Sequence, residues 1–590
     1  MKNLLILLIG CNLLLSCQSK KQDLKTNIET YYYSNLRDCR VSIEKMSTLS
    51  QKDSLIIAFD EGRQSLKKIE GIMCFYSFRT YKMLNSPNLP EVEEFDNADK
   101  TLQATGFQVI EELLFADEID VKGIHEQCKQ MIMTIDLELG NNKITVFQPY
   151  HLLWSIRDEL IRITSLGISG FDSPVYLNSL EESVYALQGI QDLLDQNQFL
   201  FQDQIILERW NEELDNAKQT LKKSPSFDRF DRYYFIKNHI HHLMGLWVTT
   251  TNDWEVEFPF DQKVNYDALS LFHPQTFNTN SFMSRNSVKY NEQLVNLGQQ
   301  LFHDKSLSGN NKMSCATCHD PQKAFTDGRK LSITNKGKDN KRNAPTLMYA
   351  GLQASQFYDA RQSNLETQIK AVVDNKDEFD HHMNGVIEAI QKNDVYVKEL
   401  QKYYKKVDSY AVRNSLAMFI HSLSPFQSKF DKAISNIGED LSEEEVEGFN
   451  LFMGKAKCGT CHFAPIFNGT VPPHYTHSEL EVLGVPREVR WKGAMIDQDQ
   501  GRYDVSKAKE KMFAFKTPTV RNITLTAPYM HNGVYNTLDE VIQFYNGGGG
   551  HGIGISLENQ TLPTDSLQLT TTEIENLKLF LGSLTDSNFM

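Results

Sequence analysis

Two short segments of the sequence carry the same pattern of two cysteines followed by a histidine. Cys315–His319 reads CATCH, and Cys458–His462 reads CGTCH. This spacing is the attachment signature of c-type haem, because two thiols add across the vinyl groups of the porphyrin and the adjacent imidazole ligates the iron. A redox dithiol does not require the histidine, and a zinc site built from both segments would leave two ligands unused. We therefore predict two covalently bound haem c groups, with thioether bonds from Cys315, Cys318, Cys458 and Cys461 and proximal ligands His319 and His462.

The second axial ligand of each iron decides what each haem can do. A strong methionine or histidine ligand closes the site and produces an electron-transfer centre, whereas an open site can take peroxide or oxygen. After the second motif, the stretch APYMHNG offers Met530, with His531 beside it. A methionine ligand raises the reduction potential, so it would suit the second haem to store or pass an electron.

Helices must supply the framework for these motifs. From about residue 22 to 250, apolar residues recur at spacings of three and four, as in TGFQVIEELLFADEI, which predicts a helical bundle. Breakers at Asn85–Glu91, Phe171–Pro174 and Lys223–Ser226 separate its helices. Strand-like alternation is scarce.

Helices alternate with long loops in the second half of the chain. Ser442 with Glu445, and Thr572 with Glu575, have the spacing of a capping box ahead of an apolar run, so each pair predicts the start of a helix. The fold prediction is therefore all-α, with an N-terminal helical bundle followed by two cytochrome c-like haem domains. We divide the chain into a signal peptide (1–17), the bundle (22–250), a linker without helical period (251–286), a first haem domain (287–438) and a second haem domain (439–590).

The first residues resemble a bacterial lipoprotein signal. Lys2 precedes an apolar run that is too short for a membrane span and ends in Leu-Leu-Ser-Cys, which predicts cleavage before Cys17 and a lipid on its thiol. An ordinary cleaved signal or an uncleaved anchor is the alternative. We expect a protein of the periplasm, or one held at the outer membrane of a Gram-negative bacterium by its lipid alone.

Composition and the remaining cysteines add few constraints. With 61 basic and 76 acidic residues, the net charge of −15 argues against nucleic acid as a partner and indicates a solvated acidic surface, which could face a basic partner but names none. Cys39, Cys74 and Cys128 lie outside the motifs. They can form one disulfide and a free thiol or stay as three buried thiols, and the sequence leaves both open.

From Asn296 to the C-terminus, the sequence resembles the bacterial di-haem cytochrome c peroxidase family, which includes an enzyme of methylamine utilisation. The resemblance rests on LGQQLFHDKSLSGNNKMSCATCHDPQKAFTDG, KRNAPTL, FYDARQSNLETQ and FKTPTVRNITLTAPYMHNG. It implies that the haem of the first motif is the peroxide site. It also implies that the haem of the second motif is the high-potential donor, with Met530 as its distal ligand.

The resemblance assigns a Gln and a Glu, ten residues apart, to the open face of the first haem. Here these are Gln368 and Glu378. Heterolysis of peroxide needs a base that takes a proton from the inner oxygen and returns it to the departing one, which Glu378 would do while Gln368 orients the peroxide. Read alone, each is a polar residue on a surface helix.

Two further positions are compared with the residues that the family has between its haems. The family has Trp between the haems where this chain has Tyr358, which is also redox-active and can act as an electron relay. Asn343 matches a family position that contributes to a calcium site, although an Asn often caps a loop.

The N-terminal half resembles imelysin-type helical proteins only over GFQVIEELLF. In that motif Gln108 replaces a His, which removes the better metal ligand and leaves Glu111. We therefore expect a structural role for this helix. Of His239, His241 and His242, only the first and last share a helix face, which we interpret as a polar surface.

The function predicted from the resemblance is reduction of hydrogen peroxide to water with electrons from a small cytochrome c or cupredoxin. One alternative is oxidation of a protein or organic substrate, as in the methylamine-utilisation enzyme, whose second haem has a Tyr ligand; Tyr529 lies beside Met530. Another is a non-enzymatic electron carrier or iron-handling lipoprotein. The resemblance also implies pairing of two copies as a homodimer.

Many members of the family rest with the first haem blocked by a His from the loop after the first motif. Residues 320–380 of this chain contain no His. Lys336 or Lys338 could replace it only after losing a proton, which is unfavourable at neutral pH. His381 lies just beyond Glu378 and could also reach the iron. We predict that the first haem is open in the oxidised protein.

Overall fold

The computed structural model describes residues 23–94, 97–141, 144–285 and 287–587. The predicted signal peptide and Cys17 lie outside these residues. The described chain is mostly helical, as predicted from the periodicity, with two short two-stranded antiparallel sheets.

The N-terminal half is built from ten helices and one hairpin among its described residues. Helices end at Asn85 and Lys222, at breakers identified in the sequence. Two single π-helical turns, Ile163–Gly167 and Ile236–Ile240, extend α6 and α9. The elements are α1 Leu24–Met46, α2 Lys52–Tyr76, α3 Phe78–Asn85, β1 Glu91–Glu93, β2 Asn97–Leu102, α4 Phe107–Leu114, α5 Val121–Asn141, α6 Pro149–Arg162, α7 Ser179–Gln196, α8 Gln204–Lys222, α9 Arg232–Phe235 and α10 His241–Asp253.

The second half carries shorter helices and longer loops. Its elements are α11 Thr279–Phe282, α12 Glu292–His303, α13 Cys315–Cys318, α14 Leu365–Asp374, α15 Met383–Gln391, α16 Asp394–Gln401, α17 Ser409–His421, α18 Lys429–Ile434, α19 Glu443–Met453, β3 Leu480–Val482, α20 Tyr503–Ser506, β4 Ala514–Lys516, α21 Leu538–Asn546, α22 Gly549–Gly552 and α23 Thr571–Ser583. Around the first motif, α12 packs against α17; beside the second motif, α19 packs against α23.

The two predicted capping boxes had different outcomes. Ser442 caps α19, and its hydroxyl and the Glu445 carboxylate satisfy each other's backbone N–H groups, as predicted. For α23 the prediction was wrong by two residues, because Thr570 and Glu573 form the box. Glu573 also makes a 2.7 Å ion pair with Lys455, a tertiary contact that the spacing of Thr and Glu residues does not reveal.

The segment interpreted as a linker has little helix but is packed into the protein. Phe272 and Phe277 are buried. Phe272 contacts the rings of Phe430 and Phe467, and Phe277 contacts Tyr475. The segment is therefore an ordered part of the fold that packs against the second half of the chain.

The bundle and the second haem domain share an interface. The Ser165 hydroxyl donates to the Ala464 carbonyl oxygen at 2.7 Å. The ring of Phe171 packs edge-on against Phe463. The side-chain oxygen of Asn450 accepts hydrogen bonds from the backbone N–H groups of residues 232 and 233, at 2.9 and 3.1 Å. The loop after α6 therefore reaches the residues that directly follow the second motif.

Two further expectations concern cysteines and membranes. Cys39, Cys74 and Cys128 are buried free thiols, so none of the cysteines in the described residues forms a disulfide. None of the helices in the described residues combines the length and apolarity required for a membrane span.

Candidate active site

The first motif lies on the wall of a cavity of about 420 Å³ in the first haem domain. Its two cysteines form α13, a single helical turn that begins after Ser314. The Ser314 N–H donates to the Thr317 hydroxyl at 3.0 Å, which fixes the start of the turn. Because Cys315 and Cys318 are three residues apart, both thiols lie on one face, and both line the cavity with His319.

The imidazole of His319 is oriented by the backbone. Its Nδ1 lies 3.0 Å from the Phe325 carbonyl oxygen. A carbonyl oxygen only accepts, so Nδ1 carries the proton and Nε2 is free to ligate a metal. Burial lowers the pKa of His319 from its ordinary value, which favours the neutral, ligating form.

Gln368 and Glu378 line the same cavity as the first motif. Gln368 lies on α14, and Glu378 in the following loop, where its N–H donates to the Asn375 carbonyl at 3.1 Å. Burial raises the pKa of Glu378 above the ordinary value, although the charge of Arg361 and hydrogen bonds from Asn375 and Asn340 oppose this. A carboxyl with a raised pKa is suited to accept a proton and return it.

The second motif lines another cavity, of about 250 Å³, together with Met530. Cys458 begins a 3₁₀ turn, and the N–H groups of Cys461 and His462 both donate to the Cys458 carbonyl oxygen. Most of the lining is apolar and includes Leu347, Val485, Ile523 and Val541.

The second histidine is held in the same way as the first. Nδ1 of His462 lies 3.0 Å from the Pro518 carbonyl oxygen, so its Nε2 is again free. Burial lowers the pKa of His462 to about 4. A nearby loop and a sequence-distant loop thus supply equivalent backbone acceptors for His319 and His462, a feature that the motifs alone do not predict.

Three candidate ligands lie close together in the turn after Pro528. Met530 has a positive φ of 71°, and its side chain lines the cavity. The neighbouring Tyr529 hydroxyl donates to the Ile523 carbonyl oxygen at 3.1 Å. His531 stacks on Phe515 and lies 3.3 Å from a carboxylate oxygen of Asp497. Met530 is therefore the neighbour whose ligating atom carries no competing hydrogen bond.

The two cavities share part of one wall. Tyr358 and Gln368 line both of them, so Tyr358 lies between the two cavities. Burial raises the pKa of Tyr358, which keeps its hydroxyl protonated. The shared lining consists of Asn343, Ala344, Pro345, Leu347, Phe357, Tyr358 and Gln368.

Asn343 is engaged in hydrogen bonds within this wall. Its Nδ2 donates to the Arg329 carbonyl oxygen at 2.7 Å, and its Oδ1 accepts from Tyr358 at 3.3 Å. Among the described residues, no group of three or more His, Cys, Asp or Glu side chains is arranged to hold a metal ion. The calcium assignment of Asn343 stays a prediction.

The N-terminal candidates have contacts within the bundle. Oε1 of Glu111 accepts from Ser173 and from the N–H groups of Val175 and Tyr176, so it holds the loop that reaches the second haem domain. Burial raises its pKa to about 7. His239 and His242 both face Glu213, with Nδ1 to carboxylate-oxygen distances of 2.7 and 3.7 Å.

Several charged residues around the cavities were not singled out in the sequence. Arg361 and Lys341 line the first cavity, and Glu481 and Lys516 line the second. Arg361 and Lys516 belong to the quoted stretches FYDARQSNLETQ and FKTPTVRNITLTAPYMHNG, which was the available signal. Their positions in the cavities depend on tertiary packing.

The residues present fit two c-type haems. Each cavity presents two thiols and an imidazole whose free nitrogen can ligate iron, and the second adds a thioether and an apolar lining for the macrocycle.

Comparison with known proteins decides the family. A family model described as di-haem cytochrome c peroxidase matches residues 292–438. Cytochrome-c peroxidase IdrP2 of Pseudomonas sp. (strain SCT) is 32% identical over 309 residues, which cover 50% of this chain and 82% of that protein. The chain belongs to the di-haem cytochrome c peroxidase family.

Other similar proteins include both cytochrome c peroxidases and methylamine-utilisation proteins. The chain is 31% identical over 259 residues to cytochrome c551 peroxidase of Nitrosomonas europaea. The match covers 43% of this chain and 72% of that protein. Methylamine utilization protein MauG of Methylophilus methylotrophus is 26% identical over 292 residues, with coverages of 49% and 81%. A solved MauG-like protein associated with microbial copper homeostasis is 27% identical with a TM-score of 0.43, covering 52% of this chain and 96% of that one.

Proposed function

We propose that this protein reduces hydrogen peroxide to two molecules of water, taking two protons and two electrons, and that a small cytochrome c or cupredoxin supplies the electrons. The observation that carries the proposal is the presence of Glu378 and Gln368 in one cavity with Cys315, Cys318 and His319. A haem bound there would supply the iron that binds peroxide and delivers electrons to the O–O bond.

Proton transfer is assigned to Glu378. In its ionised form the carboxylate accepts the proton of the oxygen nearer the iron and returns it to the departing oxygen, so that this oxygen leaves as water. The Gln368 amide, in the same cavity, orients the peroxide by hydrogen bonding. Arg361, whose charge lowers the pKa of Glu378, favours the ionised form that this step requires.

Electron uptake is assigned to the second motif. Met530 supplies a thioether that favours a high reduction potential, and the occupied hydroxyl of Tyr529 disfavours the tyrosine ligand of the methylamine-utilisation type. Tyr358 lines both cavities and is the proposed relay between them.

The first haem is proposed to be open in the oxidised protein. Among the described residues that line the first cavity, His319 is the only histidine. His381 packs against Gly385, where an added Cβ would lie 2.1 Å from its Cε1 atom. Lys341 lines the cavity but makes ion pairs of 3.0 and 2.9 Å with Asp499 and Asp504, which favour the protonated, non-ligating form.

The location proposed for the enzyme is the periplasmic side of a membrane, with a lipid on Cys17. Its support is the apolar run that ends in Leu-Leu-Ser-Cys. Globomycin, which blocks lipoprotein signal cleavage, should leave a longer precursor; normal processing in its presence would contradict the lipid.

Steady-state turnover tests the proposed activity. The full-length, haem-loaded protein should oxidise a reduced small cytochrome c rapidly when hydrogen peroxide is added, with two donor molecules consumed per peroxide. A mature mass that includes two haems, retained after extraction with acidified organic solvent, checks the covalent cofactors. A fully loaded protein that oxidises no donor with peroxide would refute the proposal and favour a non-enzymatic carrier.

A further inference from the structure

Lys516 is a buried cation in the wall of the second cavity. It ends β4, is 9% exposed, and lines the cavity together with the cysteines of the second motif. Its Nζ donates to the side-chain oxygen of Gln353. Among the described residues, no carboxylate forms an ion pair with Lys516, and burial lowers its pKa to about 8.

Three other cationic side chains in this half of the protein, two of them buried and that of Arg342 half-buried, each face a carboxylate. Arg521 pairs with Asp431 at 2.8 Å, and Arg342 with Asp499 at 2.7 Å. Arg502 pairs with Glu94 across the interface with the bundle. Taking an ammonium out of water without a counter-charge is costly, so the position of Lys516 calls for an anion.

The acidic residue that lines the same cavity does not supply that anion. Glu481 is on β3, opposite Phe515, and its carboxyl hydrogen-bonds to Thr561. The missing counter-charge therefore has to come from what fills the cavity.

A c-type haem carries two carboxylates at a defined edge. Its thioether bonds form on two neighbouring pyrroles, and its two propionates extend from the other two. Lys457 also lines the cavity, but it directly precedes Cys458 and so lies on the thioether side. The N–H of Lys516 donates to the Tyr358 carbonyl oxygen at 2.6 Å, which puts this residue at the wall shared with the first cavity.

We propose that Lys516 binds a propionate of the haem attached to Cys458 and Cys461, and that Gln353 positions its ammonium group. The inference rests on the assignment of the second motif to a high-potential haem. The resulting ion pair lies beside Tyr358, on the route assigned to electrons. A cation beside a propionate cancels charge that would otherwise stabilise the ferric state, so Lys516 also raises the reduction potential.

The test uses the full-length, two-haem protein and a spectroelectrochemical titration of the second haem between about pH 6 and pH 9, without peroxide. We expect Lys516→Met to lower the reduction potential. It should also make the potential pH-dependent, because a buried carboxylate without a counter-charge takes up a proton when the iron is reduced. Lys516→Arg should behave like the wild type. Lys509→Met, at an exposed position ahead of β4, is the matched control and should change neither quantity.

Unchanged potential and pH dependence in Lys516→Met would overturn the inference. If Lys516→Met does not accumulate with two haems, Lys516→Gln carries the same expectations with a smaller change in polarity. Failure of both neutral variants to load haem, with normal loading of Lys516→Arg, would support a required positive charge; failure of all three would show a purely structural role. A low reduction potential of the second haem in the wild-type protein would instead refute its assignment as the electron-transfer haem. Both outcomes are measured without peroxide and so do not depend on peroxidase activity.

Discussion

The hydroxyl of Tyr358 donates a hydrogen bond to the side-chain oxygen of Asn343, 3.3 Å away, in the wall between the two cavities. An amide oxygen is a poor proton acceptor, so the Asn343 side chain is not a base that takes the phenolic proton when Tyr358 is oxidised. The structure thus gives this relay a property that a tryptophan, which can be oxidised without immediate proton loss, would not share.

This relationship predicts the effect of two substitutions. Tyr358→Phe should slow electron transfer from the second haem to the first, because phenylalanine is much harder to oxidise. Tyr358→Trp should transfer electrons between the haems at least as fast as the wild type. Stopped-flow mixing of the reduced protein with peroxide measures the rate, and equal rates in all three proteins would exclude a relay through the side chain.

Replacement of Glu378 should remove the proton-transfer step. Glu378→Gln should leave both haem spectra unchanged and lower peroxide turnover by roughly 10²–10⁴-fold, the usual contribution of a general acid–base group. The matched control is Glu388→Gln, at an exposed position on α15. Wild-type activity in Glu378→Gln would move the role to another residue.

The environment of Glu378 also predicts a pH dependence. The carboxyl must be ionised to accept the proton, and burial raises its pKa. The specificity constant kcat/KM should therefore fall as the pH falls through this raised pKa. The fall should occur at a higher pH than it would for a carboxyl with an ordinary pKa. Glu378→Gln should lack this acidic limb; a limb that persists belongs to another group.

Met530 is expected to set the potential of the second haem. Met530→Leu removes the thioether but keeps the apolar volume, so haem loading should persist while the high reduction potential is lost. Tyr529→Phe is the companion variant and should leave the potential unchanged, because the Tyr529 hydroxyl bonds to the Ile523 carbonyl. A potential that responds to Tyr529→Phe alone would identify tyrosine as the ligand.

The open first haem predicts a specific resting spectrum. Electron paramagnetic resonance of the oxidised protein should show one high-spin and one low-spin ferric haem, and peroxide should react without prior reduction. His381→Ala should not alter the spectrum, because His381 packs against Gly385. Two low-spin signals in the wild type, with one converted by His381→Ala, would identify His381 as a blocking ligand.

The interface between the two halves of the chain predicts an effect on stability. Asn450→Ala leaves the backbone N–H of Tyr233 without an acceptor and removes one of the two acceptors of the Arg232 N–H. A buried donor without a partner costs about 1–3 kcal/mol, so the thermal midpoint should fall measurably. Asn559→Ala, which also loses hydrogen bonds to backbone but lies within one domain, controls for a general loss of side-chain contacts.

The sequence predicted the chemistry better than the packing. Cys315 and Cys318 are linked to His319 by local spacing, and the single helical turn that holds them is a local structure. The carbonyl oxygens that orient the histidines come from Phe325 and Pro518, and the latter is distant in sequence. No periodicity or motif predicts such a contact.

Boundaries and interfaces were harder to predict for a related reason. The segment interpreted as a linker lacks helical period, but its aromatic residues Phe272 and Phe277 are buried against other parts of the chain. Helix α23 is capped by Thr570 rather than by Thr572, and Glu573 of its capping box also pairs with Lys455. In both cases a tertiary contact decided between locally acceptable alternatives.

The contact between Phe171 and Phe463 bears on how the protein is assembled. Phe463 directly follows His462, so the folded bundle covers the chain immediately beyond the second haem motif. During biosynthesis the bundle emerges before Cys458 and Cys461, which follow it in the chain. We therefore expect haem attachment at the second motif to precede docking of the bundle, because the segment that follows the motif is accessible to the attachment machinery only until then.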